Sequence, residues 1–578
     1  MTDIGTTSGG VPSFDLTCEP WIPVLRRQDG RQDELSLREV FAQASDLARI
    51  VGDVPTQEFA LLRLLLAVAH DALDGPRDAD QWADWWEDED CFAAVPSYLD
   101  TYRDRFDLLH PVAPFFQVAG LRTSRDEVFS LNRIVADVPN GEPFFTSRMP
   151  SAERLDFAEA ARWVVHTHAY DTSGIKTGVV GDSRAKNGKV YPLGVGWAGN
   201  LGGVFAEGDT LRETLLLNMV AGDTAALKTD PGDRPAWRRE PCGPGPGRGR
   251  RPTGVRDLYT WQTRRLRLHI DQGAVHGVVL GYGDPLPARN MHQREPMTRW
   301  RRSKTQEKKL GEPQVYLPKE HDPQRAVWRG LSSLLAEQPT AVEQRTEAAA
   351  ELPAGVLEWI AQLVTEEGYL PRGTRFRARI VGAVYGTQQS VIDEIVDDRL
   401  SMSVNLLNRR DRRYAQQAIS AVADADEAVN ILGDLAVDLA RATGAATEGP
   451  RSRASEQGYD ALDAPYRSWL QDLGAATDPE EHRTRWRADT CRIIRRIGEQ
   501  LIAAAGDAAW QGRTITTNKG DLWLNSAYAE RSFQYRLSNA LGRQPDSPKD
   551  NPAVPDAPND EPADPRPDSP VAAERALA

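Results

Sequence analysis

The sequence predicts an α+β protein in which a large mixed α/β N-terminal domain precedes a C-terminal helical bundle, and three observations predict it. The chain has 578 residues, beyond the size at which a single hydrophobic core stops growing, so at least two packed units are expected. Residues 120 to about 330 mix short apolar runs with glycine and proline, which favours strands and turns. After Ala349 the pattern changes to long segments rich in Ala, Leu, Ile, Glu and Arg with apolar residues at helical spacing. The expected divisions are a disordered N-terminus over 1–12, the mixed domain over 13–365, the helical bundle over 366–543 and a disordered tail over 544–578. That tail holds nine prolines, eight acidic and three basic residues, too little apolar surface to offset the entropy of ordering.

Taken in order, 14–16 and 21–25 read as short strands, because apolar residues are interrupted at proline and turn positions. A first helix is expected over 56–73. Thr56 can cap it, Glu58 suits its first turn, and Phe59, Leu62, Leu65, Leu66 and Ala69 form one apolar face that belongs in the core. Residues 241–248, alternating glycine and proline, are too irregular for periodic structure and read as a mobile basic loop. Further helices are expected over 352–367, 388–407, 412–443, 461–473, 479–505 and 519–541.

Hydrophobic residues make up 40% and charged residues 27% of the chain, the balance of an ordinary folded domain. Cys18, Cys91, Cys242 and Cys491 lie far apart with no CxxC pair, which argues against a disulfide framework and fits a reducing cytoplasm. No run approaches the roughly 18 apolar residues of a bilayer span, so no membrane partner is expected. The net charge of -14 argues against nucleic acid until its distribution is considered. Between Arg234 and Lys309 there are 18 Lys and Arg against 6 Asp and Glu, a local net of +12 that leaves -26 on the rest. Such a run can be a solvated surface. Arg299, Arg301, Arg302 and Lys304 nevertheless flank Trp300, and guanidinium groups grip phosphates while an indole can stack or wedge.

Several motifs promise chemistry that their context withholds. Gly194, Gly196 and Gly199 satisfy GxGxxG, yet Pro192 interrupts the preceding strand and Asn200-Leu201-Gly202-Gly203 follows where a dinucleotide site needs a helix. The glycines then mark either a plain turn or a loop whose bare backbone approaches a groove or a phosphate. Asp171-Thr172-Ser173-Gly174 copies an aspartic-protease motif whose second copy is missing. His166 and His168 lack further ligands at metal spacing and read as packed or surface residues. No catalytic residue, metal or cofactor is expected.

Five further stretches stand in a distinctive order and spacing: Phe14-Asp15-Leu16-Thr17-Cys18-Glu19-Pro20-Trp21-Ile22-Pro23-Val24, Pro55-Thr56-Gln57-Glu58-Phe59, His110-Pro111-Val112-Ala113-Pro114-Phe115-Phe116-Gln117, Gly194 to Gly203, and Leu211-Arg212-Glu213-Thr214-Leu215-Leu216-Leu217-Asn218. Together they resemble the CasA family, the large subunit of the type I-E CRISPR Cascade complex. The resemblance implies a mixed α/β domain followed by a four-helix bundle. It also implies a non-catalytic subunit that reads the protospacer-adjacent motif from the DNA minor groove, opens the duplex, and helps recruit an effector helicase-nuclease. Its partners would be the other Cascade subunits, guide RNA and double-stranded target DNA. Motif reading falls on Leu193, Gly194, Val195 and Gly196, and a basic finger on Arg301, Arg302 or Lys304, the stretch not choosing between Arg302 and Lys304. A wedge falls on Gln388 and Gln389, with Gln389 the better match. A loop carrying Val135, Ala136, Asp137 and Asn140 corresponds to one that seats the subunit beside the guide-RNA end. In the bundle, Arg409, Arg410, Arg412 and Arg413, and likewise Arg492, Arg495 and Arg496, could guide the displaced strand or pair with neighbouring acids. The competing classes are a Mg²⁺-dependent nuclease using Asp171, Asp182 and Glu207, and a purely structural scaffold of a ribonucleoprotein.

Overall fold

The Pro55–Ala72 helix runs through the middle of the N-terminal region, and every residue from Thr56 to Asp71 is buried. Pro55 at its first position presets the backbone and forfeits only an N–H that the helix could not use. The expected apolar face is therefore one side of a helix enclosed all round. Thr56 is not its cap: Val54 occupies that position, and the Thr56 hydroxyl lies 3.0 Å from His166 Nε2. Enclosure forces each polar side chain to find a partner on another element. Glu58 binds Arg379, Arg63 makes a bidentate pair with Glu295, and Asp71 accepts from Tyr98 and Arg238.

The computed structural model describes residues 12–136, 152–225, 227–247, 249–335, 349–517 and 520–542. The expected acidic tail, Asp137 and Asn140 lie outside these residues. Among the described helices none is long and apolar enough to cross a membrane. Against the central helix pack a three-stranded sheet with Ile22–Arg26 in its middle and the Phe157–Tyr170 helix, and on that second helix packs the hairpin Arg264–Asp271/Ala274–Tyr282. A second three-stranded sheet places Arg375–Tyr385 between Gly203–Glu207 and Ile392–Ser403, all antiparallel.

That last strand corrects the expected helix over 388–407. In Ile392–Ser403 the alternate residues Val396, Leu400 and Met402 are buried, as a strand with one covered face requires. Asp398 shares their parity, where it accepts from Val327 N at 2.8 Å and from Arg467 at 3.0 Å. The strand and its partner extend the N-terminal sheet past residue 366, so the long helices begin only at Arg413.

Four helices then pack on one another: Arg413–Thr443, Glu448–Leu473, Pro479–Ala504 and Ser526–Leu541. The first buries Ala418, Ala421, Val422, Ala425, Val429, Leu432 and Leu435, a repeat of three and four residues, and stops at Gly444 with φ +81°. Asp478 caps the third through the N–H groups of Glu480 and Glu481. The helix expected over 519–541 starts at Ser526, since Gly520–Leu524 pairs with Arg513–Thr517 as a hairpin. The glycine-proline stretch expected to be mobile is tied down in its described part: Arg265 donates to the carbonyls of Gly243 at 2.8 Å and Gly245 at 3.2 Å, and Gly247 N to Asp284 at 2.7 Å.

Burial keeps four histidines neutral: His166 is pushed down to about 3, and His70, His168 and His321 to about 4. Unfolding returns each ring to its ordinary value of 6.5, so the unfolded chain binds more protons below that pH. Stability is expected to fall as pH drops from 6.5 towards 4, beginning before the carboxylates titrate. Denaturant midpoints measured across that window check it; a flat profile would mean that these rings are charged in the fold.

Candidate nucleic-acid interface

The glycine loop, the glutamine pair and the start of the 135–140 loop meet around one short segment, Asp171-Thr172-Ser173. The segment leaves the end of the Phe157–Tyr170 helix and is fixed from below by Arg264, whose side chain is 2% exposed. Arg264 Nη2 donates to three carbonyls, Asp171 at 2.9 Å, Thr172 at 3.0 Å and Gly194 at 3.0 Å, while its Nε binds the Asp171 carboxylate. Lys176 Nζ reaches the same carboxylate at 2.8 Å. Burial alone would raise the Asp171 carboxyl, but the charges of Lys176 and Arg264 outweigh it and hold the group below its ordinary 3.8. The Tyr282 ring lies 4.8 Å from the Arg264 guanidinium, and its hydroxyl donates to Gly174 O at 2.7 Å.

Above this base, Ser173 joins the two predicted elements. Its hydroxyl accepts from Gly194 N at 3.1 Å, and its own N–H donates to Gln389 O at 2.7 Å. The three glycines of the GxGxxG match have different reasons to be glycine. A side chain at Gly196 would run into the backbone of Ala169 and Tyr170, and one at Gly199 into the Tyr385 hydroxyl. Gly194 alone, at φ +103°, faces open space with nothing within 4 Å of where a Cβ would stand. It presents bare backbone outwards. The chain then enters a short 3-10 turn, Trp197–Asn200, and not the helix a dinucleotide site needs.

The glutamines occupy the tip of the Arg375–Tyr385/Ile392–Ser403 hairpin, and both are exposed. Gln388 has φ 57° and Gln389 φ 55°, two left-handed residues in succession, a conformation that costs about 1–3 kcal/mol each and persists only where the surroundings impose it. The bond to Ser173 N and that from Gln389 N to Gly386 O at 2.9 Å impose it here. Val135 and Ala136 line a cavity of about 80 Å³ with Asp171, Thr172, Val391 and Ile392. Tyr191 and Leu193 are exposed beside Gly194, and the turn before them carries exposed Lys186 and Lys189.

The basic finger candidates sit on another sheet. The Trp300–Arg302 strand pairs with Tyr316–Pro318 and Glu351–Leu352, and connects to the Gly203–Glu207 strand through the Gly203–Thr298 bridge. Alternation turns Trp300 inwards, 1% exposed, so its indole is a core group and not a wedge. Arg301 and Lys304 are exposed, and Arg302 is bonded to Glu307 at 2.7 Å. Much of the local positive excess is answered internally by acids remote in sequence, including Arg238 by Asp71, Arg264 by Asp171 and Arg294 by Asp230. At the entry to the bundle, Arg409 pairs with Glu358 at 2.7 Å and Arg413 with Asp411 at 2.9 Å; Arg410 is exposed and Arg412 borders the same small cleft as Glu358. Arg492 pairs with Asp489, Arg495 donates to Cys491 Sγ at 3.3 Å, and Arg496 is exposed.

The carboxylates of the nuclease reading do not gather. Asp171 is held by Lys176 and Arg264, Asp182 by Arg184 at 2.9 Å, and Glu207 by Arg379 at 3.1 Å. Among the described residues no three His, Cys, Asp or Glu side chains are grouped to hold a metal ion. His166 and His168 point into the core.

The profile of the family described as CRISPR-associated protein Cse1 matches residues 15–497. The CRISPR-associated protein CasA/Cse1 of Thermus thermophilus is 31% identical over 444 residues, 75% of this chain and 79% of that protein. The crystal structure of Thermobifida fusca Cse1 is 56% identical with a TM-score of 0.85, covering 92% of this chain and 98% of that one. That of Cse1 from Acidimicrobium ferrooxidans is 32% identical with a TM-score of 0.77 and the same coverage.

Arg264→Met is expected to cost about 3–5 kcal/mol by leaving the Asp171 carboxylate and three carbonyls short of their donor. Ser173→Ala, which removes one neutral hydrogen bond, should cost about 1 kcal/mol. Denaturant melts of the two variants check the ranking; equal losses would mean that Arg264 is not the keystone of the seat.

Proposed function

The chain belongs to the CRISPR-associated Cse1 family, and from that premise we propose that it is the large, non-catalytic DNA-recognition subunit of the type I-E CRISPR surveillance complex. In this reading it inspects the short motif beside a target, begins to open the duplex, and then helps recruit the effector helicase-nuclease. Guide RNA reads the remaining sequence by base pairing, as in other RNA-guided systems.

One observation carries the reading: an outward-facing glycine backbone and two exposed glutamines rest on the same buried seat, joined through the hydrogen bonds of Ser173. A minor groove displays A·T and T·A almost identically and adds only the guanine amino donor for G·C. Backbone at Gly194, with no side chain to hold it off, can approach the groove floor and reject that amino group by contact. Recognition of this kind tolerates several related motifs. The glutamines, one step away, then stand where the first base pair must part. Unstacking costs a few kcal/mol, which a rigidly held tip can offset because little further ordering is needed when it inserts. Arg301 and Lys304, both exposed, supply positive charge for the groove or the backbone phosphates, and Arg302, bonded to Glu307, stands beside them. Val135, Ala136, Asp137 and Asn140 are assigned to the guide-RNA end, and Arg409, Arg410, Arg412 and Arg413 to the displaced strand.

The nuclease alternative has less support, because its three carboxylates are each neutralised by arginine or lysine at separate places. A pure scaffold would bind its complex without salt-dependent affinity for DNA.

In the assembled complex, Gln389→Ala is expected to slow R-loop formation while leaving initial duplex binding nearly unchanged. Gly194→Asp, which adds bulk and negative charge at the groove, should abolish discrimination between cognate and non-cognate motifs. Stopped-flow R-loop kinetics and binding titrations on duplexes differing only in the motif measure both. Parental R-loop rates would remove the wedge assignment, and retained motif discrimination would remove the glycine loop.

A further inference from the structure

Arg264 and Arg265 are neighbours on one strand and point to opposite faces. Arg264 enters the Asp171 seat, whereas Arg265 closes the floor of a separate cavity of about 640 Å³. Six guanidinium groups line it: Arg105, Arg234, Arg238, Arg239, Arg250 and Arg265. Three buried aspartates answer four of them. Asp71 pairs with Arg238 at 3.0 Å, Asp257 with Arg239 at 3.0 Å and with Arg250, and Asp284 with Arg250 at 3.3 Å and Arg265 at 2.9 Å.

Among the described residues the remaining two have no carboxylate partner. There Arg105 donates to the carbonyls of Arg239 at 2.8 Å and Ala236 at 3.4 Å. The Arg234 side chain, exposed at the rim, has no hydrogen-bond or ion-pair partner among the described residues. The acids in the wall itself are Asp284 and the exposed Glu240, so even with Asp71 and Asp257 behind it six guanidinium groups stand against four carboxylates. Burial pushes Arg105 below its ordinary range; for Arg239 burial and the charges of Arg250 and Arg234 outweigh Asp257. Concentrating cations around a concavity with too few counter-charges leaves a positive potential inside it. The backbone removes what would oppose an anion there: the Gly243 and Gly245 carbonyls, negative ends that would repel one, are turned onto Arg265. Proline and aromatic groups, Pro114, Phe116, Pro241 and Pro246 among them, complete the lining.

We propose that this cavity binds a phosphate-bearing ligand of nucleotide size, gripped by the uncommitted guanidinium donors of Arg105 and Arg234. A guanidinium has five N–H groups in a planar fork that matches phosphate oxygens. Arg105 spends two of its donors and Arg234 none. The volume lies within the roughly 300–1,000 Å³ of small-molecule sites, far more than a single phosphate group fills. The phosphate could belong to a free nucleotide or to the end of a nucleic-acid strand.

Isothermal titration of the full chain with ATP, pyrophosphate and adenosine tests it, together with short oligonucleotides bearing a 5′-phosphate or a 5′-hydroxyl. At least one phosphate probe is expected to bind and to weaken with added salt, and adenosine is not. Arg234→Glu, at a side chain with no partner to lose, should keep the parental melting temperature and reduce affinity by at least about tenfold, the equivalent of one charge-assisted hydrogen bond. Arg105→Lys, which keeps the charge and loses the fork, should also weaken binding. Binding of ATP or pyrophosphate identifies a free ligand, and binding only of the 5′-phosphorylated oligonucleotide identifies a strand end. Failure of every phosphate probe to bind, or parental affinity in Arg234→Glu, overturns the proposal.

Discussion

A buried guanidinium cannot be left unsatisfied, and that constraint at Arg264 organises the surface above it. Fixed in the Arg264–Asp271 strand and paired in register with Tyr282, it draws to itself one carboxylate and three carbonyls from two separate chain segments. Leaving any of these groups buried without its donor would cost more than a typical surface interaction contributes. The exposed loop at Gly194 and the turn at Ser173 are therefore held by the interior, in addition to the buried side chains of Val195 and Trp197 that follow Gly194. Loops are commonly positioned by a rigid scaffold; here ionic hydrogen bonds from Arg264 join apolar packing in doing so.

The same device recurs along the N-terminal region. Arg379 joins Glu58 of the central helix to Glu207 and Asp397 on the strands to either side of its own. Arg63 joins that helix to Glu295, whose carboxylate also accepts from the Trp197 indole at 2.7 Å just after the glycine loop. Buried ion pairs of this kind contribute little net stability compared with well-packed apolar groups. They do tolerate few alternative arrangements, so what they supply is position. A long hairpin pinned by Arg379 near its middle and by Ser173 at its tip has one place to lie.

Much of this architecture is legible from residue order. The Pro55–Ala72 helix, the Arg413–Thr443 helix with its glycine stop and the Pro479–Ala504 helix all have a local cause: a proline or cap at one end and an apolar repeat between. The Ile392–Ser403 strand reads as helix because Asp398 occupies an inward position among Val396, Leu400 and Met402, breaking the alternation, while Ile392, Ile395 and Val396 mimic helical spacing. Its partners, Val327 N and Arg467, are about seventy residues away on either side. The positive excess between Arg234 and Lys309 fails as a patch for a related reason, since Asp71, Asp171 and Asp230 lie outside that stretch of sequence. The glycine loop and glutamine pair are visible through family resemblance. Ser173, which joins them, and Arg264, which seats them, have no local signal: one stands in a motif with no second copy, the other in a run of arginines.

The hairpin that carries the glutamines has a second support. Its two strands are hydrogen-bonded along almost their whole length, roughly 35 Å at the usual rise per residue, and about halfway along them Asp398 grips Arg467 of the Glu448–Leu473 helix. Trp328, stacked at 4.5 Å on Tyr466 of the same helix, donates to Asp463 one turn before Arg467. The ribbon is thus braced against the bundle at its middle, and the Gln388–Gln389 tip projects beyond that support. Any displacement of the tip would have to bend the paired strands or strain the contact between Asp398 and Arg467.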